Sequence, residues 1–148
     1  MTKEHDFAAL RRTAELYARG ADHRDKDIWR SVMAANVVVT GPGFANEGLE
    51  ANLGSIDYLA SQFKANRHLI HNQVMDVNGD TANGETVCTA EHLLTGPDGS
   101  DLVLSWAIRY QDQLVRDAAS PTGWRFTRRD LIVDWKELRP IQNIGHHA

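Results

Sequence analysis

The sequence contains one cysteine, Cys88, and four prolines among 148 residues. A single cysteine cannot form a disulfide framework or a thiolate metal cage within one chain. We therefore interpret Cys88 as a buried, inert thiol. Because no repeat, low-complexity tract or proline-rich linker divides the chain, we expect one domain over residues 1–148, with its core at about 7–136 and a tail at 137–148.

The sequence also lacks a basic excess and long hydrophobic runs. Its formal net charge is -4, and no cluster of lysine or arginine interrupts this mild acidity, so we expect no nucleic-acid partner. No apolar run approaches membrane-spanning length, and the first residues, MTKEHDFAAL, carry charges where a signal peptide needs an apolar core. We expect no membrane partner and a cytoplasmic location.

The hydrophobic period changes from helical to strand-like near residue 68. Before that point, apolar spacings of three and four predict helices, and after it an alternation of two predicts strands. The predicted order is a helix over about 6–22, a helix from about 25, a strand over 35–40, a loop or hairpin over 40–55, a helix around 56–63, and strands at about 68–78, 81–95, 102–116 and 124–135.

This order predicts an α+β fold in which about three helices pack on a strongly curved, mostly antiparallel sheet. In the strand over 102–116, Trp106, Ile108 and Tyr110 share one face, so one face of the sheet is expected to be buried. A curved sheet closed at one end by helices makes a cone-shaped barrel with an interior pocket.

Two histidines stand three residues apart in the segment RHLIHNQ. Alternation puts His68, Ile70, Asn72 and Val74 on one face of the strand and His71 on the other, so only one of the two histidines can face the pocket. The same argument prevents them from binding one metal ion, and no other metal motif is present. The remaining histidines outside the strands are expected to be solvent-exposed: His5, His23, His146 and His147.

Asp22 continues the apolar face of the first helix, whereas Asp25 is well placed to cap the second helix. A carboxylate that faces an imidazole across a cavity would make that imidazole a general base. The last strand carries Arg125, Arg128 and Arg129, and alternation allows only part of this set to face inward. An inward arginine would stabilise a developing anion, and an outward one would form ion pairs at the rim.

Three segments resemble the SnoaL-like branch of the nuclear transport factor 2-like superfamily: LYARGADHRDKDIWRSVMAANVVV, RHLIHNQVMDVNGDTANG and RYQDQLVRDAASPTGWRFTRRDLIVDW. The resemblance covers about Leu10 to Trp135. That branch includes scytalone dehydratase, lindane dehydrochlorinase, bile acid dehydratases and polyketide cyclases. The resemblance implies the cone fold, but the superfamily carries enzymes, binding modules and assembly subunits on it.

The resemblance implies roles for individual residues. The family's D-x-x-D falls on Asp22 and Asp25, and its H-x-x-x-N falls on His68 and Asn72, which makes Asp22 and His68 the catalytic dyad. A W-x-F-x-x-R pattern makes Arg129 the pocket arginine. We assign five residues to substrate binding: Tyr17, Trp29, Asn72, His92 and Tyr110.

The predicted function is that of a cofactor-independent lyase or isomerase, of the dehydratase or dehydrohalogenase type, with an Asp22–His68 general-base dyad and no metal. Its expected partner is a small hydrophobic cyclic molecule, and the chain is expected to form a homodimer or homotrimer. Two alternatives on the same fold remain: a non-catalytic small-molecule-binding module, and a polyketide cyclase or a subunit associated with a ring dioxygenase.

Overall fold

The computed structural model describes residues 2–142 and 144, so residues 143 and 145–148 of the predicted tail, including His146 and His147, lie outside the described residues. Its elements are α1 (Lys3–Asp22), α2 (Lys26–Val32), β1 (Met33–Gly41), β2 (Phe44–Glu47), α3 (Leu49–Gln62), β3 (Ala65–Asn78), β4 (Thr81–Thr95), β5 (Asp101–Arg116) and β6 (Trp124–Pro140). No helix among the described residues is long and apolar enough to cross a membrane.

The six strands form one sheet in the order β2-β1-β6-β5-β4-β3. All neighbours are antiparallel except β1 and β6, which run parallel. Buried side chains of all three helices join those of the sheet in one hydrophobic cluster, so the helices cover one face of the sheet. The predicted α+β class is confirmed. Within the described residues, however, β2 and β3 are the edge strands and do not pair with each other, so the sheet is open and does not close into a barrel.

The turn between α1 and α2 fixes the position of Asp22. Helix α1 ends at Asp22, and Arg24 then takes the left-handed conformation with φ 55°. The Asp25 carboxylate accepts hydrogen bonds from the backbone N–H groups of Asp27 and Ile28, which confirms its predicted role as the cap of α2. This tight turn leaves the Asp22 side chain at the C-terminal end of α1, where it contacts β3.

The segment over 40–55 is more regular than the sequence predicts. It contains the β1–β2 hairpin, and α3 begins at Leu49 rather than near residue 56. The buried side chain of Asn52 stabilises this region by donating to the carbonyl oxygens of Asn46 and Gly48. The sequence NEGLEANLGS is rich in glycine and asparagine, so its helical part carries little local signal.

Strand β3 contains a bulge that the alternation argument misses. The pairing of β3 with β4 shifts register between Ile70 and Gln73, and the side chain of Arg11 donates to the carbonyl oxygens of Ile70 and His71 at this point. Beyond the bulge the faces are exchanged: Met75 is buried, whereas Asn72 and Val74 are exposed. The prediction that Asn72 and Val74 share the inner face with His68 is therefore wrong, because one extra residue reverses the alternation.

An ion pair lies in the core beneath the sheet face that the helices cover. The Arg129 guanidinium binds the Asp112 carboxylate through Nε–Oδ1 at 2.7 Å and Nη2–Oδ2 at 3.1 Å, and both side chains are fully buried. The Thr86 hydroxyl donates to the same carboxylate at 2.8 Å. The Arg129 carbon Cζ also lies 3.6 Å from the ring centroid of Tyr110 and 4.2 Å from that of Phe126. Arg129 is thus held on several sides by its neighbours.

We predict that Asp112→Asn lowers the free energy of unfolding by about 3–5 kcal/mol, because the buried Arg129 charge loses its counter-charge. The double substitution Asp112→Leu with Arg129→Met should recover most of this loss. Urea unfolding of each purified variant, followed by far-UV circular dichroism, measures the change.

The matched control is Asp134→Asn, which removes a carboxylate from the half-exposed pair with Arg109 and should cost under about 1 kcal/mol. Equal losses in the Asp112→Asn and Asp134→Asn variants would contradict the assigned importance of the buried pair.

Candidate functional site

A cavity of about 540 Å³ lies between the helices and the sheet. Its wall is largely apolar and aromatic, with a few polar side chains, as small-molecule sites generally are. All three helices, the β1–β2 hairpin and strands β3 to β6 contribute to it. The lining includes Tyr17, Trp29, Asn46, Asn52, Tyr58, His68, His92, Trp106, Ile108, Tyr110 and Leu131.

His68 and Asp22 form a closely bonded pair at this cavity. His68 Nδ1 lies 2.6 Å from Asp22 Oδ1, and the backbone N–H of His68 donates to both carboxylate oxygens at 3.1 and 2.8 Å. An ionised carboxylate only accepts hydrogen bonds, so the neutral imidazole carries its proton on Nδ1 and a lone pair on Nε2. His68 lines the cavity, and Asp22 lies behind it. Such an arrangement can remove a proton from a molecule in the cavity.

His92 is the second histidine of the cavity wall and is 2% exposed. Its ring stacks on Phe63 at 4.5 Å between centroids, and it meets the rings of Trp106 at 4.9 Å and His68 at 6.3 Å edge-on. Burial, with a smaller contribution from nearby His68, lowers the pKa of His92 to about 4. His92 is therefore neutral near pH 7.

Three aromatic rings form one side of the cavity. Tyr17 stacks on Trp29 at 4.6 Å and meets Tyr110 edge-on at 6.2 Å, while the Trp29 indole N–H donates to the Tyr17 carbonyl. Burial raises the pKa of Tyr17 to about 12 and raises that of Tyr110 well above its ordinary value. Both phenols therefore remain protonated at neutral pH and offer O–H groups.

Arg129 lies behind these rings and is not part of the cavity lining. Its Cζ lies 4.4 Å from the Tyr17 centroid, and its charge is paired with Asp112. The geometry therefore corrects the assignment of Arg129 as a catalytic residue that contacts substrate. It supports the aromatic wall from the core side.

The structure brings most of the other predicted site residues together. Tyr17, Trp29, His68, His92 and Tyr110 all line the cavity. Asn72 does not, because the β3 bulge turns it outward, and its assignment to substrate binding is corrected. The exposed His71 bonds to the Thr89 hydroxyl on the next strand, outside the cavity.

The sequence analysis did not identify two polar side chains of the candidate site, those of Trp106 and Asn66. Trp106 shares its predicted strand face with Ile108 and Tyr110, so the alternation could have identified it. Asn66 bonds to His92, but it precedes the predicted start of β3 and carried no such signal. Cys88 is buried as predicted, and burial raises the pKa of its thiol to about 12, so the thiol remains protonated.

No group of three potential metal ligands occurs among residues 2–142 and 144. This finding concerns His, Cys, Asp and Glu side chains. The polar groups of the cavity are imidazoles, amides, phenols, two indoles and the Ser55 hydroxyl, which suit hydrogen bonding and proton transfer.

A family model described as SnoaL-like domain matches residues 4–130. The fold is similar to the Kfla4162 protein from Kribbella flavida, with TM-score 0.82, 24% identity, and coverage of 92% of this chain and 95% of the other. It is also similar to a provisionally assigned scytalone dehydratase from Novosphingobium aromaticivorans, with TM-score 0.76, 22% identity, and coverage of 97% and 95%.

A hexachlorocyclohexane dehydrochlorinase, LinA type 2, has TM-score 0.80 and 17% identity, with coverage of 95% of each chain. No curated protein sequence matches the chain at a significant level. At these identities the likeness to solved structures establishes the fold alone.

Acidification should destabilise the protein through His92. In the unfolded chain this imidazole binds a proton below about pH 6.5, whereas in the folded protein it does so only near pH 4. Between these values the unfolded state binds more protons, so stability falls as pH falls, by up to roughly 3 kcal/mol from this group. Urea unfolding at several pH values should show a shallower fall for His92→Phe than for the original protein.

The matched control for this experiment is His71→Phe, which makes the same chemical change outside the cavity. An equal change of slope in both variants, or none in His92→Phe, would contradict the assignment to His92.

Proposed function

Because the chain belongs to the SnoaL-like domain family, we propose that it is a cofactor-independent lyase or isomerase acting on a small hydrophobic cyclic molecule. The observation that carries this proposal is the 2.6 Å contact between His68 Nδ1 and Asp22, which leaves Nε2 as the free ring nitrogen of a histidine that lines the cavity. A binding module has no need for a carboxylate that orients an imidazole in this way. Dehydration and dehydrohalogenation are both reactions of the proposed type.

In the proposed reaction, His68 Nε2 removes a proton from a ring carbon that is acidified by a neighbouring carbonyl or lies beside a carbon bearing a leaving group. The electron pair of the broken C–H bond forms a C=C bond. In a lyase the leaving group departs with the bonding electrons of its own C–X bond, and in an isomerase the proton returns to a different carbon. Asp22 stabilises the imidazolium that forms on His68.

The rest of the cavity supports this chemistry. Its apolar wall excludes water from the reacting ring, which strengthens each remaining electrostatic interaction. The protonated phenols of Tyr17 and Tyr110 can donate hydrogen bonds to a developing anion. Two of the proteins with a similar fold, the provisionally assigned scytalone dehydratase and the hexachlorocyclohexane dehydrochlorinase, are named for eliminations, so an elimination is the first reaction to test.

We predict that His68→Ala lowers turnover by roughly 10²- to 10⁴-fold, because it removes the proton acceptor. Asp22→Asn should also lower turnover, because the amide cannot stabilise the imidazolium as a carboxylate does. The measurement is a screen of cyclic ketones, hydroxysteroids and halogenated rings by liquid chromatography with mass spectrometry. Loss of water or acid appears as a change of mass, and isomerisation appears as a change of retention time at constant mass. Each variant is assayed at a temperature where circular dichroism shows that it is folded.

His71→Ala is the matched control and should retain nearly full turnover, since His71 lies outside the cavity. A comparable loss in His71→Ala would mean that the wrong histidine had been chosen. Tight binding without turnover across the panel, unaffected by Asp22→Asn and His68→Ala, would instead identify a binding module.

We also propose that copies of this chain self-associate through the outer face of the sheet. The strand pairings place four residues in one row across that face: Leu69, Thr89, Ala107 and Trp135. Trp135 is 69% exposed, and the nearby Ile132 is also exposed. Large exposed apolar side chains grouped in this way are typical of protein interfaces.

The charges on this face favour a second copy as the partner. Arg109 lies on this face and forms ion pairs with Asp134 and Glu85, so positive and negative side chains alternate close to Trp135. A face that carries both signs can complement itself across a two-fold or three-fold axis.

Size-exclusion chromatography with light scattering at micromolar concentration should therefore give a dimer or trimer. Trp135→Glu should shift it toward the monomer, because a charge would be buried in the interface. Phe7→Glu, at an exposed position on α1, is the control and should leave the mass unchanged. A monomer in the original protein would contradict the proposal.

A further inference from the structure

Two N–H donors in the cavity wall have no acceptor among the described residues. These are His92 Nε2 and Trp106 Nε1, and both atoms are buried. The two side chains line the same cavity, with ring centroids 4.9 Å apart and planes inclined by 67°. A buried polar group without a partner costs free energy, so a pair of them in one wall suggests a ligand that supplies the missing acceptor.

The proton on His92 can be located from its neighbours. His92 Nδ1 lies 2.6 Å from the side-chain nitrogen of Asn66, and Asn66 Oδ1 accepts from Arg24 Nη2 at 3.2 Å. A guanidinium only donates, so it fixes the Asn66 amide with its oxygen toward Arg24 and its NH₂ toward His92. The amide then donates to Nδ1, which leaves the single proton of the neutral imidazole on Nε2.

Arg24 is itself held in place by the fold. Its Nη2 also donates to the carbonyl oxygen of Phe63, at 2.8 Å, and its backbone adopts the left-handed conformation of the α1–α2 turn. The Phe63 ring also stacks on the His92 ring. The chain Arg24–Asn66–His92 therefore sets both the orientation and the tautomer of the imidazole, and burial keeps the ring neutral.

We propose that His92 and Trp106 form a subsite for an oxygen acceptor, so that the substrate is an oxygenated ring, a cyclic ketone or alcohol, rather than a halogenated hydrocarbon. This inference rests on the proposed function and narrows it to a dehydratase or isomerase. Carbon-bound halogen is a much weaker hydrogen-bond acceptor than a carbonyl or hydroxyl oxygen, and it would leave both N–H groups poorly satisfied. An oxygen held there lies on the same wall as His68, whose ring centroid is 6.3 Å from that of His92.

The subsite makes the two histidines chemically complementary. His68 presents a bare Nε2 that accepts a proton, whereas His92 presents an Nε2–H that donates a hydrogen bond. A neutral donor of this kind polarises a carbonyl, or stabilises the oxygen of an enolate, without giving up its proton. Arg24 and Asn66 act through His92 and are positioning residues.

The first test compares two probes of the same fused-ring skeleton, 1-tetralone and tetralin, by isothermal titration calorimetry. The ketone should bind about tenfold tighter, in keeping with one or two additional hydrogen bonds. His92→Phe keeps an aromatic ring against Phe63 but removes the donor, and Trp106→Phe removes the indole N–H, so each should reduce this preference. His71→Phe is the matched control and should retain it. Equal affinities for the two probes in the original protein would overturn the proposal.

The second test reads the tautomer directly. Nitrogen-15 NMR of the histidine side chains, with His92 assigned from the spectrum of His92→Phe, should show a protonated Nε2 and a bare Nδ1. Asn66→Asp gives His92 the same kind of partner that His68 has in Asp22. At about pH 9 the neutral ring should then carry its proton on Nδ1, and the ketone preference should disappear. A protonated Nδ1 in the original protein, or an unchanged preference in Asn66→Asp, would overturn the proposal.

The binding preference is measured again in His68→Ala, because this separates the subsite from the reaction. If the original protein turns over no compound but the ketone preference persists both in it and in His68→Ala, the subsite stands and the lyase or isomerase assignment fails. If only halogenated rings are turned over and no ketone preference exists, the assignment stands and the subsite fails.

Discussion

The Asp22 carboxylate connects the two halves of the chain, and the site depends on it. It accepts from the backbone N–H of His68 and from the ring of the same residue, which joins the end of α1 to the beginning of β3 across 46 residues of sequence. The backbone contacts hold the fourth residue of β3 against the end of α1, and the ring contact occupies Nδ1 of His68 and leaves Nε2 as its free ring nitrogen. One side chain thus determines both the packing of helix on strand and the protonation pattern of the candidate base.

The cavity holds two histidines whose properties come from their partners. Asp22 accepts from His68 Nδ1, which leaves a lone pair on Nε2, whereas the Asn66 amide donates to His92 Nδ1, which leaves the ring proton on Nε2. Burial against Phe63 and Trp106 also prevents His92 from gaining a charge near neutral pH. The same residue type can therefore supply an acceptor and a donor a few ångströms apart without a cofactor.

The aromatic wall rests on a charged core. Arg129 lies against the rings of Tyr17 and Tyr110, and its charge is compensated by the Asp112 carboxylate. The same carboxylate also accepts a hydrogen bond from the Thr86 hydroxyl. A guanidinium can pack flat against aromatic faces while its edge forms hydrogen bonds, so it supports the rings from behind. Arg129 binds Asp112 through Nε and Nη2 and does not line the cavity, whose polar groups include the histidines, the phenols and Trp106.

The sequence by itself determined the α+β class, the order of the elements and the cavity face of β5, because hydrophobic period is a local property that is repeated over many residues. Its resemblance to a family pointed to Asp22 and His68 as a candidate dyad, and the structure brings these two side chains into contact. Tertiary structure alone decided the rest. The β3 bulge turned Asn72 outward, and one inserted residue has no compositional signature yet reverses every side chain beyond it. Strand register placed Asp112 opposite Arg129, and the α1–α2 turn brought Arg24 to Asn66. Such pairings depend on where distant segments meet, which the pattern within each segment does not contain.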